Sequence, residues 1–135
     1  MSQKSLTLRT ILLVEPDDTV RPILTDNLRR WGYNVIVVLD AADAIQRTRG
    51  GGEPFDLILL NQFKQAIDKF IDIGRQIRQQ AQLSSRIPIV IMAEGYGVEL
   101  EGQDIQLGES EYVTYLEDGQ QLRNLLHKLC PIPEN

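Results

Sequence analysis

Short runs of β-branched and aliphatic residues alternate with longer stretches of helical periodicity along this chain, and no other feature restricts its fold as much. Strands separated by helices pair in parallel, because each return to the sheet needs a crossover. The runs are Thr10 to Val14, Asn34 to Val38, Asp56 to Leu60, Ile87 to Met92 and Glu111 to Tyr115. The first, third and fourth are almost continuously apolar, as strands covered on both faces must be, and are expected at the sheet centre.

Helical spacing fills most of the gaps. Val20, Leu24, Leu28 and Trp31 make one stripe, and Ala41, Ala44 and Ile45 a second. Ala66, Phe70, Ile73 and Ile77 make a third, and Leu122, Leu125, Leu126 and Leu129 the last. Punctuation agrees: Gly32 follows the first stripe, Asp40 and Asp118 stand where N-caps belong, and Gly50-Gly51-Gly52 closes the second helix. Pro22 falls in a first helical turn, where its missing donor is not needed. The fourth connection, Ala93 to Gly108, is different. It holds Gly95, Gly97, Gly102 and Gly108 with weak periodicity, so a short, irregular fourth helix or a long surface loop is expected there.

With 135 residues there is room for one sizeable core and one domain. Residues 10–130 are expected to form it, with 1–9 as an N-terminal extension and 131–135 as a frayed tail. A net charge of -5 without a Lys/Arg cluster removes the electrostatic footprint of a nucleic-acid binder. The apolar runs are too short to span a bilayer, and Met1-Ser2-Gln3-Lys4 has no apolar signal region behind it, so a cytoplasmic protein without membrane partners is expected. Cys130, the single cysteine, has no partner for a disulfide and no nearby Cys or His pair for metal.

Parallel strands with right-handed crossovers give a doubly wound sheet, whose ligands sit outside the carboxyl ends of the central strands. That edge receives Glu15-Pro16-Asp17-Asp18, Asn61-Gln62, Ala93-Glu94 and Tyr115-Leu116. No glycine-rich dinucleotide fingerprint, P-loop or Ser/Thr-rich flavin-phosphate loop follows the first strand.

The blocks Ile11-Leu12-Leu13-Val14-Glu15, Trp31-Gly32-Tyr33-Asn34-Val35, Phe55-Asp56-Leu57-Ile58-Leu59-Leu60, Ile87-Pro88-Ile89-Val90-Ile91 and Glu111-Tyr112-Val113-Thr114 resemble, in order and separation, those of the response-regulator receiver family. The resemblance covers about Thr10 to Leu129. It implies a flavodoxin-like α/β fold, a five-stranded parallel sheet of (βα)5 type in the order 2-1-3-4-5, and a place in two-component signalling. It also implies a carboxylate site in which an acidic pair after the first strand holds Mg²⁺ and an Asp ending the third strand accepts a phosphoryl group. A Thr or Ser after the fourth strand and a Lys in the fifth contact that group. Such chemistry needs an anionic nucleophile, hard oxygen ligands and a mobile cation.

Carried across, the acidic pair falls on Glu15 and Pro16, the acceptor on Asn61, the hydroxyl on Ala93 and the Lys on Tyr115, followed by Leu116 instead of Pro. Only Glu15 keeps the required character, since an amide is a poor nucleophile and Pro16 cannot bind a metal. No metal, cofactor or catalytic residue is therefore expected. Asp17 and Asp18 stand where a helix N-terminus favours carboxylates, Asp56 lies at the wrong end of its strand, and Asp68 and Asp72 read as solvated helix residues. Tyr112 matches the family's switch aromatic, or is simply a half-buried strand residue. Trp31 reads as core and His127 as solvated.

These readings point to a degenerate pseudo-receiver that works by protein contact without aspartyl phosphorylation and is not an enzyme. In the family the surface of the fourth helix, fifth strand and fifth helix carries output contacts, and Tyr96, Tyr112 and Tyr115 fall there. The partners implied are a histidine kinase, a response regulator or an output protein, with a homodimer through that surface also open. The alternatives are an atypical phosphoryl-accepting regulator in a phosphorelay and a small-molecule-binding flavodoxin-like domain.

Overall fold

The computed structural model describes residues 8–132. In chain order the elements are β1 (Thr10–Val14), α1 (Val20–Arg30), β2 (Asn34–Val38), α2 (Ala41–Thr48), β3 (Leu57–Asn61), α3 (Ile67–Gln80), β4 (Ile89–Met92), β5 (Asp104–Gln106), β6 (Glu111–Thr114) and α4 (Gly119–Leu129). The sheet runs β2-β1-β3-β4-β6-β5. Its first five strands are parallel, in the doubly wound order expected, with β6 in the fifth place.

The fourth crossover departs from the (βα)5 expectation. No helix forms between β4 and β6, and the segment instead turns back as β5, which pairs antiparallel with β6 at the edge. Gly95 and Gly102 adopt φ of 65° and 86°, left-handed values that no α-helix accommodates. The local choice is thus a hairpin.

Both faces of the sheet are covered. Ile11, Leu13, Leu57, Leu59 and Val90 pack with Leu24 and Leu28 of α1 and Leu122, Leu125 and Leu126 of α4. On the opposite face Leu12, Ile58, Leu60, Ile89 and Ile91 pack with Ala44 of α2 and Phe70, Ile71 and Ile77 of α3. The strict alternation along each central strand is the period-2 geometry of a pleated strand. The helix α3 comes close to the sheet at Gly74, where a Cβ would lie 2.6 Å from Ile89 Cγ2.

Caps form as their residue types dictate. Asp40 accepts from the Asp43 N–H at 2.8 Å and Asp118 from the Gln121 N–H at 3.0 Å. Asp17 accepts from the N–H groups of Thr19 and Val20 and from the Thr19 hydroxyl, which is the helix-start role expected of it. Asp18 pairs with Arg21, while Asp68 and Asp72 are exposed. Asp56 lies at the amino end of β3, where it accepts from the Thr10 N–H at 2.8 Å.

Two local expectations change. His127 is half-buried, with its ring 5.8 Å from that of Tyr33 and Nε2 3.4 Å from the Trp31 carbonyl. The interval between Leu126 and Leu129 turns it toward the end of α1 and away from bulk water. The tail is not frayed at its start: Ile132 packs beside Gly32 and against the α1/α4 core, while Tyr33 donates to the Cys130 carbonyl at 2.8 Å. Met1–Thr7 and Pro133–Asn135 lie outside the described residues.

Candidate functional site at the carboxyl edge

Glu15 follows β1 and is completely buried. Its carboxylate receives the Asn61 Nδ2 amide at 2.9 Å on each oxygen, and the Asp17 N–H at 3.2 Å. β1 and β3 are adjacent and parallel, with Val14 opposite Leu60, so these two chain ends must meet. Burial pushes the Glu15 carboxyl above its ordinary range, against the lowering effect of the Asn61 and Asp17 hydrogen bonds. Arg21 approaches without ion pairing to this carboxylate: it donates to the Glu15 backbone carbonyl at 2.9 Å and turns its other nitrogen to Asp18.

Pro16 is half-buried and lines a cleft of about 190 Å³ with Asn61, Asp40, Ala41, Phe63 and Phe70. Ala93 is half-buried on the α2/α3 side, and its N–H donates to the Thr114 carbonyl at 3.0 Å. Tyr115 packs on that same side and meets Tyr96 edge-to-face, with ring centroids 5.2 Å apart. The Tyr96 hydroxyl donates to the Leu116 carbonyl. Tyr112 is half-buried against the other face of the sheet, with the α1/α4 core. Glu15, Pro16 and Asn61 therefore come together, and so do Tyr96 and Tyr115. Tyr112 joins neither group.

The residues present do not suit a divalent cation. Mg²⁺ takes hard oxygen ligands in a near-octahedral shell. Here one carboxylate is already occupied by two N–H donors, and Pro16 offers no side-chain oxygen. Among the described residues no group of three or more His, Cys, Asp or Glu could hold a metal ion.

Sequence reasoning placed Gln62 and Glu94 at this edge but missed that their side chains tie its loops together. Glu94 N–H donates to Gln62 Oε1 at 2.9 Å, and Glu94 Oε1 accepts from the Lys64 N–H at 2.8 Å. Gln62 Nε2 reaches the Gln65 carbonyl at 2.8 Å. Lys64 has φ of 63°, so the β3–α3 loop is held in a left-handed turn by a neighbouring loop. The adjacency of Gln62 to Asn61 and of Glu94 to Ala93 in sequence was the available signal.

No protein-family model matches the chain. Among curated proteins, it is similar to the transcriptional regulatory protein ZraR of Salmonella typhimurium, 30% identical over 118 residues, covering 87% of this chain and 25% of that protein. The chain spans between 20% and 42% of the length of the curated relatives it matches. Among solved structures, it is similar to the receiver domain of the sensor histidine kinase PA1611 from Pseudomonas aeruginosa, which has a magnesium ion coordinated in its active-site cleft. The TM-score is 0.64 at 22% identity, covering 91% of this chain and 98% of that one. It is also similar to a chain in the complex of histidine kinase ThkA with response regulator TrrA from Thermotoga maritima, with TM-score 0.65 at 15% identity, covering 91% and 99%. Sheet order, strand blocks and these likenesses agree, and the chain belongs to the response-regulator receiver family of two-component signalling.

Proposed function

We propose that this receiver domain, residues 10–130, is a pseudo-receiver: it works through contacts with other signalling proteins and does not accept a phosphoryl group on a side chain at its carboxyl edge. The observation that carries this reading is the Asn61–Glu15 pair. At the position of the family's acceptor stands an amide whose nitrogen, not oxygen, is directed at the one remaining carboxylate. Such a group has no anionic oxygen for phosphoryl attack, and Ala93 offers no hydroxyl and Tyr115 no cation at the positions where the family has them.

Receiver domains are signalling modules, and the partner class that follows for this one is a histidine kinase, another regulator or an output protein. The setting proposed is cytoplasmic, and no helix of the described residues is long and apolar enough to cross a membrane. The tyrosines Tyr96 and Tyr115 offer partners a paired aromatic surface beside the site. The homodimer surface expected from the family lacks its helix between β4 and β6 here, so any self-association would use β6, α4 and the hairpin.

Incubation of the chain with acetyl phosphate and Mg²⁺, followed by intact-mass measurement, tests the reading. The expected result is no gain of a phosphoryl mass. A labile gain of one phosphoryl group overturns it. Trp31 fluorescence provides a second check, because Asn61→Asp alone leaves Pro16, Ala93 and Tyr115 in place. Saturable quenching of that variant by Mg²⁺ with beryllofluoride would contradict the ligand count.

A further inference from the structure

Among the described residues, β5 is the outermost strand of the sheet and pairs with β6 alone. In an antiparallel pair, alternate residues exchange backbone hydrogen bonds with the neighbouring strand, and those between them turn N–H and C=O away from it. The Tyr115 N–H donates to the Gln103 carbonyl at 2.8 Å, and the Leu107 N–H to the Glu111 carbonyl at 2.8 Å. Gln103, Ile105 and Leu107 thus face β6. Asp104 and Gln106, both exposed, present their amides and carbonyls to the open side. Lysine and proline, which proteins commonly place on an edge to prevent further pairing, are absent from residues 103–107.

Charge selects what can occupy this edge. From Ile87 to Leu122 there is no Lys, Arg or His. Glu99, Glu101, Asp104, Glu109 and Glu117 lie in or near the hairpin, and no salt bridge among the described residues involves any of them. A second copy of this chain would bring like charges together. A basic segment would relieve them.

The two faces of the edge differ in a way that sets the pattern of the incoming strand. On the α4 side, Asp104 accepts from Thr114 Oγ1 at 2.6 Å and Gln121 Nε2 at 2.9 Å. There it helps line a depression of about 330 Å³ with Glu117, Asp118 and Gln121. On the α3 side are half-buried Ile105 and Leu107, the latter 51% exposed. Side chains of an added strand alternate between these faces.

We propose that the open edge of β5 is a strand-addition site for an extended segment of a partner protein in which Lys or Arg alternates with apolar residues. The basic side chains would enter the depression at Asp104 and Glu117, and the apolar ones would cover Ile105 and Leu107. Main-chain bonds supply the attraction and side-chain alternation the specificity. The proposal rests on reading the chain as an interaction module, but not on the state of its phospho-site, so the acetyl phosphate result leaves it untouched.

The test uses the whole chain, isotope-labelled, and a capped peptide of alternating lysine and valine. Saturable binding is expected, with shifts centred on Asp104–Gln106 and slowed exchange of the Asp104 and Gln106 amides. Replacing the lysines by glutamate is expected to weaken binding at least tenfold. Gln106→Pro removes one outward donor and no β6 bond, and is expected to do the same. Should that variant fail to fold, a peptide N-methylated at alternate residues removes the same main-chain bonds from the other side.

Equal binding of the N-methylated peptide, or binding without slowed amides, would reduce the site to nonspecific charge attraction and overturn the proposal. Failure of the lysine peptide to bind overturns it too. So would sedimentation showing a dimer of the chain that Gln106→Pro dissolves, since the occupant would then be a second copy.

Discussion

Glu15 at the carboxyl edge and Glu111 at the amino edge are both buried in the same sheet, and their surroundings oppose each other. Glu111 opens β6 and receives Arg75 at 3.0 Å and Arg78 at 2.9 Å, while Arg78 also donates to the Ile87 carbonyl at 2.9 Å. Burial works against its ionisation, but hydrogen bonds and charge from the two guanidinium groups prevail and hold its carboxyl below the usual range. Glu15 has amide donors and no cation on its carboxylate, and burial prevails. Identical side chains thus act as a strut at one edge and as an uncompensated charge at the other. The amino edge is built for stability, whereas the carboxyl edge keeps a costly carboxyl group buried on amide donors.

The contrast can be broken most strongly at Arg78. Arg78→Met leaves Glu111 buried with only the half-exposed Arg75 and frees the Ile87 carbonyl, and a loss of about 3 kcal/mol in urea unfolding is expected. A loss below about 1 kcal/mol would show that Glu111 is solvated after all. Next comes Asn61→Asp, which replaces the amide nitrogen that makes two hydrogen bonds to Glu15 by a second carboxylate. A loss of about 2 kcal/mol is expected at pH 7, recovering as the pair takes up a proton in acid. A variant as stable as the parent at pH 7 would remove the amide from its proposed role.

Arg75→Gln should cost less, about 1 kcal/mol, because that side chain is half in water and screened. The same urea titration orders it against Arg78→Met, and a reversed order would mean that exposure does not govern the pair.

The smallest effect is a difference in pH slope. Glu15 has a folded pKa above its unfolded value, so the folded state binds more protons between the two and stability falls as pH rises through that window. For Glu111 the folded pKa lies below the unfolded one, so its contribution is present above the unfolded value and lost as pH falls through the folded one. Glu15→Gln is therefore expected to gain on the parent chain as pH is raised from about 4.5, the ordinary Glu value, toward 7. Unfolding at both pH values measures this, and parallel curves would contradict the uncompensated charge.

What could be read from the chain alone follows from how local each signal is. Ile11 to Val14 and Leu57 to Leu60 declare buried strands by themselves, and Asp40 and Asp118 cap helices within three residues of their own positions. The order of the parallel strands followed from the resemblance. β5 was invisible because Asp104-Ile105-Gln106 holds one apolar residue, too little to establish a period of two, amid glycines that suggested only irregularity. At the site, Glu15, Pro16 and Asn61 were found because strand ends locate them. The Glu111–Arg78 pair spans 33 positions between a strand and a helix and leaves no local pattern. The odd spacing of Tyr112 and Tyr115, by contrast, already sets them on opposite faces of a strand, and Tyr112 lies with the α1/α4 core while Tyr115 turns to the α3 side.

The hairpin also bears on how the chain reaches its native state. Asp104 and Thr114 pair across ten positions, whereas Thr10 and Asn34 pair across twenty-four and Ile58 and Ile89 across thirty-one. Closing the smaller loop forfeits less chain entropy and needs no helix to form first. β6 can therefore arrive at β4 with its outer partner already zipped to it, as a two-stranded ribbon instead of a bare strand. The last parallel pairing is then a docking event, and substitutions in Asp104–Gln106 should alter its rate before they alter that of the β1–β3 centre.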